Sequence, residues 1–210
     1  MPGAGCMIQN PDLTYETNLW PHYPYIAGLD EAGRGALAGP VAVSAVILPR
    51  DRTLLASTLT GARDSKQMTP RERERLAIPI KEVAVNWSVG FATADEIDTL
   101  GIVHATRLAA VRALHQFSLF PQYLLTDFRL ELPQLEISQT SLVKGDARCL
   151  SIACASILAK TERDALMREL DGHHPGYGLG KHKGYGTQAH RSALKQLGYS
   201  SIHRKTFQFK

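Results

Sequence analysis

Residues 25–35 read YIAGLDEAGRG, and this stretch carries the strongest indication of both the fold and the chemistry. Its apolar first half predicts a short buried β-strand. The strand ends on two adjacent carboxylates, Asp30 and Glu31, and the glycine-rich turn Gly33-Arg34-Gly35 follows at once. Two acids beside a turn whose backbone can approach phosphates predict a functional site rather than a simple loop.

Two further acids occur in similar positions. The run YLLTD, residues 123–127, is another short apolar strand that ends on Asp127, and Asp146 stands just before a long helix predicted over residues 150–170. Strands of one sheet can bring their carboxyl ends together, so the acids at these ends can converge. Asp146, however, is equally well explained as a cap of its helix.

A cluster of four carboxylates needs a cation or a proton between its members, because like charges repel one another. Oxygen-only ligand sets suit hard cations such as Mg²⁺ or Mn²⁺. A dinucleotide-binding loop is excluded, because the third glycine comes one position late and a strand, not a helix, follows the turn. The pattern therefore favours metal-dependent phosphodiester chemistry.

The remaining pattern predicts one α/β or α+β domain with a mixed sheet, spanning residues 24–210, after a loose extension over residues 1–23. Thr69 and Thr93 each open a helix with a capping box. The other predicted strands cover residues 41–48, 83–91 and 136–143. One predicted helix runs from Thr69 to about residue 82, and another begins at Thr93 and resumes over residues 102–117. A last helix is predicted over residues 188–197.

Composition is that of a globular protein with a core: 210 residues, 44% hydrophobic and 21% charged. No apolar run has the length of a membrane span, and the first residues lack the pattern of a signal peptide. Cys6, Cys149 and Cys154 form no CxxC pair. These features predict a protein of the reducing cytoplasm that does not enter a membrane.

The net charge of +4 is unevenly distributed. Residues 172–210 contain seven Lys or Arg, five of the eight histidines, and no Asp or Glu. Such a segment is either an ordinary solvated surface or an electrostatic footprint for a polyanion. The glycine and tyrosine residues interspersed with these cations favour the second interpretation.

Several longer motifs, in order along the chain, resemble the type 2 ribonucleases H, the bacterial ribonuclease HII family. They are GLDEAGRGALAGPV, DSKQMTPRERE, LLTD, KGDARCLSIACASILAKTERD, HKGYGTQAH and IHRKTF, and they span about residues 25–207. The resemblance implies a ribonuclease H-like fold, in which helices flank a mixed five-stranded sheet, with a helical C-terminal segment. It also implies divalent-metal-dependent cleavage of the RNA strand of RNA–DNA hybrids and incision at ribonucleotides embedded in duplex DNA, leaving 5′-phosphate and 3′-hydroxyl ends.

By the same resemblance, the family's four acids fall on Asp30, Glu31, Asp127 and Asp146. Its ribonucleotide-contacting turn falls on Gly33, Arg34 and Gly35, its tyrosine on Tyr185, and its backbone-binding segment on Lys66. Lys181 and Lys183 either attract the phosphate backbone or are solvated charges. One departure is Phe128, which stands where the family usually has glycine after the third acid.

The expected mechanism uses two Mg²⁺ or Mn²⁺ ions, shared by Asp30 and Asp127 and completed by Glu31 and Asp146. We expect a monomer, which the replication machinery could recruit. A resolvase or transposase would keep the acids but lack the GRG and KGYGT elements, and a silent hybrid-binding module would lack an acid. A subtype that cleaves only longer RNA tracts stays open.

Overall fold

The computed structural model describes residues 10–128 and 130–208. The described residues form α-helices and β-strands, which are numbered here in chain order. The helices are α1 (Thr14–Leu19), α2 (Arg52–Thr58), α3 (Pro70–Val83), α4 (Ala94–Leu114), α5 (Leu150–His173), α6 (Leu179–His182) and α7 (Gln188–Leu197). The strands are β1 (Ile26–Ala32), β2 (Val41–Ile47), β3 (Asn86–Ala92), β4 (Tyr123–Asp127) and β5 (Ser138–Leu142). Short 3₁₀ turns cover Ser65–Gln67 and Gly145–Ala147.

The five strands form one mixed sheet in the order β3-β2-β1-β4-β5. β1, β2 and β3 pair antiparallel, whereas β4 runs parallel to β1 and β5 runs parallel to β4. The carboxyl ends of β1, β4 and β5 therefore lie at one edge of the sheet. The predicted mixed five-stranded sheet with flanking helices is confirmed, and this edge positions the acids.

Helices cover both faces of the sheet. α4 packs against β2 and β3 on one face, and α5 packs against β1 and β2 on the other. Gly28 explains how closely α5 approaches β1, because a Cβ there would lie 2.3 Å from the carbonyl carbon of Ser151. The alanines and serines of α5 permit this approach, and its first turns are almost entirely buried.

Both predicted capping boxes are present, at Thr69 and at Thr93. The strand predicted from residue 83 begins only at Asn86, because α3 continues through Val83. The helix predicted to residue 117 ends at Leu114, and positive φ at Gly101 interrupts its regular geometry. α5 continues past residue 170 to His173, whereas α7 has the predicted bounds.

The prediction of a loose extension over residues 1–23 is wrong for residues 10–23. This part contains α1, and the side chains of Glu16 and Trp20 are buried. Leu13, Leu19 and Tyr23 pack against the core under α5, which explains why the segment is ordered. Residues 1–9, with Cys6, lie outside the described residues.

The C-terminal segment is helical, as predicted. α6 and α7 pack against the last turns of α5 through a separate hydrophobic cluster that includes Leu37, Met167, Leu179 and Leu194. Cys149 and Cys154 are buried free thiols. None of the described helices is both long enough and apolar enough to cross a membrane.

Candidate active site

The four predicted acids lie at the sheet edge where β1, β4 and β5 end. Asp30 and Glu31 belong to the end of β1, Asp127 ends β4, and Asp146 lies in the 3₁₀ turn that follows β5. The backbone N–H of Gly145 donates to Asp127 Oδ1 at 2.8 Å, which ties that turn to β4. Asp146 does not cap α5, whose N-cap residue is Cys149.

Burial and neighbouring negative charges make the charged state of Asp30, Glu31 and Asp146 costly. Burial raises the pKa of Asp30 well above its usual range, and the charges of Glu31 and Asp127 add to this effect. Burial likewise raises the pKa of Glu31, although the neighbouring Arg34 opposes it. Burial, with the charge of Asp64, raises the pKa of Asp146 to about 6.

Lys66 partly compensates for this concentration of negative charge. Its Nζ lies 3.9 Å from Asp146 Oδ2. Burial alone would lower the pKa of Lys66, but the carboxylates of Asp30 and Asp146 outweigh burial and raise it. The sequence placed Lys66 at a substrate phosphate, and the structure places it beside the acids, where it can also face a phosphate.

The donor set fits a hard divalent cation. Asp30 Oδ2 and Glu31 Oε2 are buried and accept no hydrogen bond from the described residues. Among those residues, no three His, Cys, Asp or Glu side chains already stand in a ready-made metal-binding arrangement. Oxygen atoms alone are available as ligands at this edge, as Mg²⁺ and Mn²⁺ prefer.

The glycine-rich turn forms the wall of a pocket of about 210 Å³ beside the acids. The pocket is lined by Glu31, Ala32, Gly33, Arg34, Gly35, Ser65, Lys66, Lys160 and Tyr185. The Tyr185 ring lies above Lys160 Nζ, 5.3 Å from ring centroid to nitrogen. One pocket therefore unites an acid, the predicted ribose-contacting turn, the predicted phosphate contact and the predicted tyrosine.

Lys181 and Lys183 are not among the residues that line this pocket. Lys181 is exposed on α6. Lys183 has positive φ, and its Nζ donates to the carbonyl of Gly180. The structure thus does not bring these two lysines to the acids.

Two buried arginines hold the glycine-rich turn and the residues that follow it, up to Pro40. Arg204 donates to the carbonyls of Arg34 and Gly39 at 2.9–3.0 Å, and its own N–H donates to Leu37 O. The guanidinium of Arg163 donates to the carbonyls of Pro40, Lys183 and Ala38 at 2.8, 3.0 and 3.2 Å. Burial lowers the pKa of both groups, yet a guanidinium stays charged at neutral pH. The arginines fix the turn and place positive charge beside it.

A pair of buried histidines holds the loop that carries Tyr185. His190 Nδ1 lies 3.1 Å from the Tyr185 carbonyl, and His190 Nε2 lies 3.1 Å from His203 Nε2. His203 Nδ1 accepts the N–H of Ser200 at 3.0 Å. A carbonyl can only accept, so His190 donates through Nδ1 and accepts at Nε2, where His203 donates. This chain of bonds requires both rings to be neutral.

We expect this histidine pair to make folding stability dependent on pH. Burial lowers the pKa of His203 to about 4 and also lowers that of His190. The unfolded chain binds these protons near pH 6.5, so the contribution is complete above that pH and is lost as pH falls toward 4. Thermal unfolding measured at about pH 4.5 to 7.5 tests this loss of stability, because that range lies between and around the folded and unfolded pKa values. His203→Gln should flatten the profile, and replacement of the exposed His104 should leave it unchanged; equal profiles for all three proteins contradict the prediction.

Phe128 directly follows the third acid, Asp127, at the end of β4. The N–H of Leu130 donates to the Asp127 carbonyl at 2.9 Å, and the Phe128 ring is 54% exposed. The ring lines a second depression, of about 490 Å³, with Arg34, Val103, Arg107 and Glu131. Arg34 therefore contributes to both depressions.

Sequence reasoning missed several residues of the site. Lys160, Arg163 and Arg204 lie within quoted motifs, but nothing local shows that they reach the glycine-rich turn. Asp64, whose charge acts on Asp146, was noted only as part of a segment. Arg163 stands in a polar and charged run of α5, residues 160–164, so no local signal distinguishes it from solvated charges.

Residues 27–210 match the family model described as Ribonuclease HII. The chain belongs to the ribonuclease HII family. It is 48% identical over 208 residues to the ribonuclease HII of Dehalococcoides mccartyi, a match that covers 99% of this chain and 95% of the relative. It is 49% identical over 192 residues to that of Thermus thermophilus, covering 91% and 90%. The chain is therefore a metal-dependent endoribonuclease that acts on RNA–DNA hybrids.

Solved structures agree with this family assignment. The ribonuclease H2 of Pyrococcus horikoshii superposes with a TM-score of 0.72 at 26% identity, covering 88% of this chain and 94% of that one. Ribonuclease HII of Archaeoglobus fulgidus, solved as a complex with PCNA, gives 0.71 at 23% identity, covering 89% and 96%. The second likeness shows the shared fold.

Proposed function

We propose that this ribonuclease HII incises duplex DNA on the 5′ side of a single embedded ribonucleotide, as well as hydrolysing longer RNA tracts in hybrids. The products are 5′-phosphate and 3′-hydroxyl ends. The observation that carries the proposal is the shared pocket, whose wall includes both Glu31 and the turn Gly33-Arg34-Gly35. The turn can contact the ribose of a nucleotide bound there while the phosphate of that nucleotide lies beside the acids.

The acids are assigned the metal site. Asp30 and Asp127 would bind both of two Mg²⁺ or Mn²⁺ ions, with Glu31 and Asp146 completing the set. When bound, such ions supply an activated water and stabilise the departing 3′ oxygen. Asp30 and Glu31 support this role because each retains a buried oxygen without a hydrogen-bond donor among the described residues.

The glycine-rich turn is assigned the recognition of the 2′-hydroxyl, the group that distinguishes ribose from deoxyribose. Gly35 suits this role because a Cβ there would meet no atom within 4 Å, so its backbone is open to the pocket. Tyr185 would stack on the adjacent sugar or base. Lys66 and Lys160 would face phosphates, and Lys181 and Lys183 would act at most on more distant ones.

The two depressions that share Arg34 suggest the course of the nucleic-acid strand. Arg34 borders both of them. A strand crossing the acids would pass from Tyr185 and Lys160 on one side to Phe128 and Arg107 on the other. Positive and aromatic side chains along such a course are typical of nucleic-acid grooves.

The test compares matched duplexes that contain no, one or four ribonucleotides, in Mg²⁺, in Mn²⁺ and in EDTA. We expect no cleavage of all-DNA duplex, cleavage 5′ of the single ribonucleotide, and no cleavage of any substrate in EDTA. A 2′-O-methyl nucleotide at the same position serves as the control, because it keeps the ribose but blocks the hydroxyl. Cleavage of the four-ribonucleotide duplex alone would show the subtype that requires longer tracts.

Three further expectations accompany this function: a cytoplasmic location, a monomeric state and recruitment by the replication machinery. The complex of the Archaeoglobus protein with PCNA is a precedent for recruitment within this fold. Sedimentation of the purified chain, alone and with the sliding clamp of its own organism, measures both the monomeric state and the association.

A further inference from the structure

Residues 10–20 precede the family match, which begins at residue 27, and yet they pack onto the turn that carries Asp146. Asp12 pairs with Cys149 as a parallel bridge. The N–H of Leu150 donates to the Asp12 carbonyl at 2.9 Å. Arg148 donates to the Tyr15 hydroxyl, and its guanidinium lies above the Tyr15 ring. The segment therefore contacts the chain immediately after Asp146 through backbone and side chains.

Glu16 is the centre of this contact. Its side chain is 1% exposed, and its Oε1 accepts the N–H of Ser151 at 2.8 Å and the thiol of Cys149 at 3.1 Å. α5 has no side-chain cap of its own, so Glu16 supplies the acceptor that its first turn needs. A carboxylate is also favoured at a helix N-terminus by the helix dipole.

Burying this carboxylate is costly, because a buried charge needs a partner. No salt bridge forms at Glu16 among the described residues, and its Oε2 has no hydrogen-bond donor among them. Two neutral donors at one oxygen compensate only partly. An apolar side chain would fill this core position under α5 more favourably. The carboxylate is therefore expected to hold a backbone segment that an apolar side chain could not hold.

A short chain of hydrogen bonds connects Glu16 to the acids. The N–H of Cys149 donates to the Gly145 carbonyl at 2.8 Å, and the N–H of Gly145 donates to Asp127 Oδ1 at 2.8 Å. The turn that contains Asp146 is thus fixed by Asp127 on one side and by the Glu16–Cys149–Ser151 contact on the other.

We propose that residues 10–20 brace the Asp146 turn and that Glu16 is a positioning residue for metal binding. Glu16 touches neither the metal ligands nor the substrate pocket. It holds the start of α5, and through Cys149 it sets where Asp146 and Asp127 stand relative to Asp30. The inference rests on the assignment of Asp146 to the metal site in the proposed function.

The test measures Mn²⁺ binding by calorimetry in the absence of substrate, together with the Mn²⁺ dependence of hybrid cleavage. Glu16→Ala should weaken Mn²⁺ binding about tenfold, the lower range for residues that orient metal ligands. The Mn²⁺ concentration for half-maximal cleavage should rise by a similar factor. Glu16→Gln should restore most of the affinity, because its amide oxygen can still accept the Ser151 N–H.

Ile97→Val is the matched control, since Ile97 is a buried residue of α4 and the substitution loosens the core on the opposite face of the sheet. All variants are compared at temperatures where circular dichroism shows them folded. Unchanged Mn²⁺ affinity in Glu16→Ala, or an equal loss in Ile97→Val, would overturn the brace. Asp146→Asn is measured in parallel: if it binds Mn²⁺ and cleaves as the wild type does, the metal assignment itself is wrong, whatever Glu16 does.

Discussion

Asp30→Asn and Asp127→Asn are each expected to lower hybrid cleavage about 10³-fold or more, equivalent to a loss of roughly 4 kcal/mol of transition-state stabilisation. The physical reason is that each substitution removes a charge needed for the metals, while it keeps the side-chain shape and one oxygen. Asp30 Oδ1 accepts the Glu31 N–H at 2.8 Å, a bond that an asparagine oxygen can keep. Hybrid binding should therefore change little.

The same substitution at Asp30 should stabilise the metal-free fold by about 1 kcal/mol, within the range that single stabilising substitutions commonly give. Burial and the charges of Glu31 and Asp127 disfavour the ionised Asp30, and asparagine removes that repulsion. Cleavage at saturating Mg²⁺ and thermal unfolding in EDTA measure the two effects. Asp95→Asn, an exposed acid at the start of α4, should change neither. Turnover close to wild type in either active-site variant would refute the metal assignment.

Gly33 and Gly35 lie two residues apart, but substitutions at them should affect different properties. A side chain at Gly33 should lower folding stability, and one at Gly35 should lower cleavage. Gly33 has φ +83°, and a Cβ there would lie 1.8 Å from Arg163 Nε. Gly33→Ala therefore combines about 1–2 kcal/mol of left-handed backbone strain with displacement of a buried guanidinium. We expect a loss of stability above about 2 kcal/mol, because the arginine's buried hydrogen bonds are broken as well.

Gly35 has neither constraint, since a Cβ there would meet no atom within 4 Å. Gly35→Val should fold like the wild type and bind hybrid within a few-fold. It should nevertheless lower cleavage at a single ribonucleotide by about 10²-fold or more, because a site built around a polar group depends on close contact with that group. The valine side chain would fill the space in which the 2′-hydroxyl is tested.

Thermal unfolding, hybrid affinity without metal and cleavage of the single-ribonucleotide duplex together separate the two glycines. Gly61→Ala offers a control for backbone strain alone, because Gly61 also has positive φ but no atom within 4 Å of its Cβ position. If Gly35→Val cleaved the single-ribonucleotide duplex at the wild-type rate, the turn would not be the sensor of the hydroxyl.

The sequence by itself determined the features that depend on neighbouring residues. The strand ending on Asp30 and Glu31, the strand ending on Asp127 and the capping boxes at Thr69 and Thr93 were all readable, because strand patterns and helix caps depend on side chains a few positions apart. The ordered motifs also gave the family, and with it the mixed five-stranded sheet.

Tertiary structure alone decided which distant residues support the glycine-rich turn. Arg163 and Arg204 reach the carbonyls of Ala38 and Arg34 across 125 and 170 positions of sequence. A buried arginine held by carbonyls leaves no local pattern, because its partners are backbone atoms that any residue supplies. Glu16 likewise has no local pattern that marks its role, because its partner Ser151 is distant in sequence and binds it through a backbone N–H.

The positions of charged side chains relative to the site could be predicted least well from the sequence. Lys181 and Lys183 belong to the same basic segment as Tyr185, yet only Tyr185 lines the pocket, together with Lys66 and Lys160 from other parts of the chain. Sequence gives the number of charges in a segment, whereas the field at a site depends on distance and burial. The sequence therefore identified the acids at the strand ends. Which cationic side chains lie near those acids was decided by how α5, α6 and the turn pack together.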